Sequence, residues 1–110
     1  MNRMAADIQF LWWRECPSWE RALALLREEM AAHDIGDERL EVIEVEDEAD
    51  AERLGFPGSP TILVGGDDIQ PPAPQQAMGL TCRVYRRRDG RVSPLPDRED
   101  LSAAFAKMGA

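Results

Sequence analysis

The apolar and polar positions alternate between two periods along the chain. The stretch Asp7 to Trp13, DIQFLWW, is apolar, aromatic and about one strand long, which predicts a buried strand. Trp19, Ala22, Leu23, Leu26 and Met30 then recur at spacings of three and four. That spacing predicts one apolar face of a helix, with Pro17 at its first position and an end near Ala32. Gly36 closes the unit. Leu40 to Glu46, LEVIEVE, predicts a second strand, and DEADAERL a short helix capped by Asp47 and ended by Gly55. Two successive strands joined by a helix imply a parallel pair. A proline and glycine loop follows, then a strand from Thr61 to Val64, a turn at Gly65-Gly66 and a short return strand over Asp68 to Gln70. Beyond the proline-rich stretch from Pro71 to Gly79, LTCRVYRR alternates like a strand and RDG marks a turn. Asp97 caps a last helix with Leu101, Ala104, Phe105 and Met108 on one stripe. The expected fold class is α/β: a central mixed sheet flanked by helices, with an extra C-terminal hairpin.

Composition narrows the function. The chain has 110 residues, which predicts one domain over 1–110. A net charge of −8 argues against nucleic acid as a partner, and the run Arg86, Arg87, Arg88 reads as a solvated strand end. The acidic run from Asp37 to Glu52 reads as a solvated face. No apolar run reaches signal-peptide length or the roughly 20 residues of a membrane span. The expectation is a cytoplasmic protein without a membrane partner, in a compartment that keeps thiols reduced. One histidine, His33, and two cysteines argue against a structural zinc site, and no cofactor is expected.

The chemistry-bearing candidates are few. Cys16 sits in WWRECPSW at the expected start of the first helix, where free N–H groups and the helix dipole favour an anion. A thiol so placed has its pKa drawn below the usual ~8.5 and becomes nucleophilic near neutrality. Arg14 and Arg21 would add to this and Glu15 and Glu20 would oppose it. The alternative is a small, partly buried capping residue. Ser59-Pro60, directly before a strand, is a candidate cis bond. Cys82, 66 residues beyond Cys16, is either its partner or an ordinary buried strand cysteine. Trp19 reads first as core, and otherwise as an aromatic lid beside the thiol. Arg83 and Tyr85 read as exposed strand residues rather than as flanks of a site. Asp67 and Asp68 read as turn carboxylates.

Taken together, these segments resemble the thioredoxin fold. CPSW stands where that family has C-x-x-C, and GFPGSPT resembles its cis-proline loop. The finer likeness is to small bacterial thioredoxin-family proteins with WW…CPS, FPGSPT, GL-CRVYR and SPLP segments, some of which carry an alkylmercury-lyase label. The resemblance covers Asp7 to Gln70 and the last helix. It implies a thiol-dependent redox protein with Cys16 as nucleophile and Pro60 positioning the substrate thiol; Cys82 is the candidate resolving cysteine, and Pro17, Ser59 and Trp19 are the further candidates for substrate contact. In that fold the backbone beside the cis-proline pairs with an incoming thiol-bearing peptide. Partners would be a thiol- or disulfide-bearing protein or a small thiol, and the chain a monomer or homodimer. Trp19 replaces the second cysteine, so a local C-x-x-C disulfide is impossible. A non-catalytic binding module, for a partner protein or a soft ion such as Hg(II) or Cu(I), is the competing expectation.

Overall fold

The computed structural model describes residues 7–72 and 77–108. Part of the proline-rich stretch, and the first residues of the chain, lie outside the described residues. The strand β1 (Ile8–Trp12) occupies the inside of a four-stranded sheet. It pairs in parallel with β2 (Leu40–Glu44) and antiparallel with β3 (Thr61–Val64), whose hairpin partner is β4 (Asp67–Asp68). The order is β2-β1-β3-β4, and the sheet is mixed, as the pattern of the chain predicts. The β3–β4 turn places Gly65 and Gly66 at φ of 61° and 89°, a backbone that side chains disfavour.

Alternation along the strands loads both faces of the sheet. Ile8, Phe10, Ile62 and Val64 face α1 (Trp19–Ala32) and α3 (Arg98–Lys107), meeting Leu26, Met30, Leu101 and Phe105 in the larger core. Leu11 and Val45 face α2 (Glu48–Leu54), packing on Ala51 and Phe56. Trp12 and Trp13 accordingly fall on opposite sides, one with each core. Asp47 caps α2 by accepting from the Asp50 N–H at 2.8 Å, and Gly55 ends it at φ 65°.

Three boundaries differ from the sequence expectation. The first helix begins at Trp19 with Ser18 as its cap, so Pro17 precedes the helix and Cys16 lies in the turn leading into it. Its end is made by Asp34 at φ 58°, before Gly36 is reached. The long strand expected over Leu80 to Arg87 is reduced to β5 (Tyr85–Arg86), which pairs with β6 (Val92–Ser93) as a separate hairpin. The residues before β5 spend their backbone groups on the loop Phe56–Pro60 instead of on a sheet neighbour. Among the described residues, no helix is long and apolar enough to cross a membrane.

Candidate functional site

The site grows from the end of β1. After Trp13 the chain makes a turn, Cys16 N–H donating to the Trp13 carbonyl at 3.0 Å, and enters α1. Trp12 and Trp19 stack across this turn, ring centroids 4.0 Å apart. Trp19 is thus half-buried against the larger core and clamps both ends of the turn that carries Cys16.

The second wall is the loop before β3. Ser59-Pro60 is cis. Ser59 is fully buried, and its hydroxyl accepts from the Trp13 N–H at 3.0 Å, which ties the loop to the Cys16 turn. Cys16 Sγ lies 3.4 Å from Ser18 Oγ and 3.5 Å from the Ser59 carbonyl.

The third wall is the segment Gly79 to Tyr85. Gly79 N–H donates to the Phe56 carbonyl, Ser59 N–H to Thr81 at 2.8 Å, and Arg83 N–H to Ser59 at 2.8 Å. Ser59 and Cys82 therefore form a parallel β-bridge. Both main-chain groups of Ser59 are taken by this strap. Arg83 locks it from below. Its guanidinium donates two bonds to Asp68, at 2.8 and 3.0 Å, one to Thr61 Oγ1 at 3.2 Å, and one to the Gln70 carbonyl. It also sits over the Tyr85 ring at 4.5 Å, and Tyr85 OH donates to the Pro60 carbonyl at 2.5 Å. Arg83 and Tyr85 are buried, which corrects their reading as exposed strand residues. The period-2 alternation was there in the sequence: it sets Arg83 and Tyr85 on one face and Cys82 and Val84 on the other. What it lacks is which face turns inward, and Asp68 decides that. Asp68 is correspondingly the partner of a buried cation and more than a turn carboxylate.

The strap sets Cys82 against Ser59, whose carbonyl Cys16 Sγ also meets. Both are free thiols, Cys16 buried at 2% exposure and Cys82 exposed. They are close enough to shift each other's titration. Burial opposes ionisation of Cys16, but hydrogen bonds from the Ser18 and Ser59 side chains, the Ser18 backbone and Cys82 outweigh it and hold the thiol below its ordinary pKa. Arg14, Arg21, Glu15 and Glu20 are not among the causes that set this shift. Cys82 is pushed up, by desolvation first and then by the neighbouring Cys16 charge. For Arg83, burial disfavours the cation most strongly, and the Asp68 bonds together with the Tyr85 and Asp68 charges outweigh it. Pro17 is exposed at the rim of the site, and Pro60 is buried beneath the strap. Among the described residues, no group of three or more His, Cys, Asp or Glu side chains is placed to hold a metal ion.

Beside the strap opens a cleft of about 440 Å³ lined by Cys82, Val84, Arg86, Pro57, Pro71 and Pro72 among others. No protein-family model, curated protein or solved structure matches this chain.

Proposed function

We propose that the chain is a thiol–disulfide redox protein on a thioredoxin-like scaffold, with Cys16 and Cys82 forming its reversible disulfide. The observation that carries the reading is that both cysteines meet at Ser59: its backbone bridges Cys82, and its carbonyl lies 3.5 Å from Cys16 Sγ. Cys16 supplies the stabilised thiolate, Ser18 and Ser59 supply its hydrogen bonds, and Pro60 fixes the loop that aligns Cys82. The partner that C-x-x-C proteins keep three residues away is here supplied from far along the chain.

The test is a thiol count. Intact mass after alkylation is expected to show no free thiols in the oxidised monomer and two after reduction. Two free thiols under every oxidant tried would remove the redox reading. The same pair of soft donors also suits a two-coordinate soft cation. Stoichiometric Hg(II) binding that needs both cysteines, in a protein that never forms the disulfide, would put metal binding in its place.

A further inference from the structure

The two sulfurs are not equivalent to a molecule arriving from solvent. Cys16 has 2% of its surface exposed and lies behind the strap and the Ser59 loop. Cys82 is exposed and lines the neighbouring cleft, whose lining does not include Cys16. The cleft volume, about 440 Å³, falls in the range of small-molecule sites, about 300–1,000 Å³. A peptide seeking to pair with Ser59 finds both main-chain groups already used by Thr81 and Arg83. That favours a small thiol over an extended polypeptide.

The cleft also has a sign. Arg83 is neutralised by Asp68, but Arg86 contacts only the Gly90 carbonyl, at 3.3 Å, through its guanidinium, with no carboxylate against it among the described residues. In a chain of net charge −8 this is an uncompensated cation lining the same cleft as an exposed thiol.

Resting on the redox-pair reading above, we infer that Cys82, not Cys16, is the sulfur that exchanges with outside partners, and that the cleft beside Arg86 admits a small thiol or disulfide bearing a carboxylate. The roles implied by the family resemblance are thereby reversed. In the oxidised protein an incoming thiolate attacks Cys82 Sγ. A bond forms between the two sulfurs, the Cys16–Cys82 bond breaks, and its electron pair leaves on Cys16. A second molecule of the same thiol attacks the outer sulfur of the mixed disulfide. It releases the small disulfide, and the Cys82 thiolate takes a proton from water. Two thiols are oxidised and one protein disulfide is reduced. The hydrogen bonds that favour the Cys16 thiolate suit its part, since a less basic thiolate is the better leaving group.

Single-cysteine variants decide the matter. Mixed-disulfide formation with oxidised glutathione is followed by mass against pH in C16S and C82S, and each rate is extrapolated to full ionisation. Cys82 in C16S is expected to react about tenfold or more faster than Cys16 in C82S, because access limits the buried thiol. A Cys16 rate equal to or above that of Cys82 would overturn the assignment. N-ethylmaleimide alkylation rates of the two thiols in the reduced wild-type chain, each divided by that thiol's ionised fraction, give the same comparison without any substitution.

For the ligand class, anionic oxidised glutathione is compared with cationic cystamine on C16S. The anionic probe is expected to react about threefold or more faster, and Arg86→Gln in the same background to erase the difference. Equal rates for the two probes with Arg86 in place would remove the anionic class. If wild-type protein stops at a mixed disulfide on Cys82 and never forms the Cys16–Cys82 bond, the redox-pair reading fails while the assignment of Cys82 stands. An intramolecular disulfide with exchange only at Cys16 means the reverse.

Discussion

Cys16 and Cys82 differ in access, and they also differ in the sign of their coupling to folding. The Cys16 pKa is lower in the folded chain than the unfolded value of about 8.5. The stability contributed by its thiolate is therefore fully present above the unfolded pKa and is lost as the pH falls through the folded one. Cys82 is raised, so its contribution is present below the unfolded pKa and is lost as the pH rises through the folded one. Reduced C82S, which keeps Cys16, is expected to gain stability between neutral pH and about 9, while C16S loses it. Urea midpoints across that range, with thiolate absorbance followed alongside, read both trends. Arg83 governs a second residue-scale effect. Its side chain and that of Asp68 are 8% and 12% exposed, so Arg83→Met leaves a nearly buried carboxylate without its cation. The expected loss is about 3–5 kcal/mol in denaturant unfolding. Restoring part of it in the double variant with Asp68→Asn would show that the orphaned charge carries the cost.

At the scale of elements, the strap depends on the loop beneath it. Gly58 has φ +148°, and a Cβ there would stand 2.9 Å from Arg83 Cβ. Gly58→Ala is expected to cost about 1–3 kcal/mol and to lift the strap, so that alkylation of Cys16 accelerates. A destabilised variant whose Cys16 stays as slow as in wild type would mean that the strap is not what covers it. The helix α3 offers a simpler case. Asp97 accepts from the Glu99 N–H at 2.9 Å and the Arg88 N–H at 2.9 Å, so Asp97→Ala removes a cap and a tie to the β5–β6 turn. About 1–2 kcal/mol of thermal stability is expected to go with it. These elements also show what the chain discloses by itself. Strands β1, β2 and β3, both capped helices and the parallel β1–β2 pair follow from periodicity and capping, because each depends on residues within a turn or two of one another. The start of α1 is ambiguous in the sequence because Pro17 and Ser18 are both good openers, and the Ser18 backbone decides between them. The strap is not legible locally because its partners are Ser59 and Asp68, more than ten residues away, and no local pattern encodes that choice. The adjacency of Cys16 and Cys82 was legible only as one alternative for the same reason.

For the molecule as a whole, the thiol pair spans much of the chain. Its disulfide would close a loop of about 66 residues, and oxidation is expected to stabilise the fold by about 4 kcal/mol through restriction of the unfolded chain. The shift in urea midpoint between oxidised and reduced protein measures it. The same connectivity bears on recognition. The segment Thr81 to Arg83 is held against Ser59 by the chain itself, which makes it a tethered ligand. Short tethers of this kind correspond to local concentrations of order millimolar. A free peptide competing for Ser59 faces that concentration before it makes a single hydrogen bond, whatever its own sequence. In a dilute mixture of polypeptides this protein is its own most abundant binding partner.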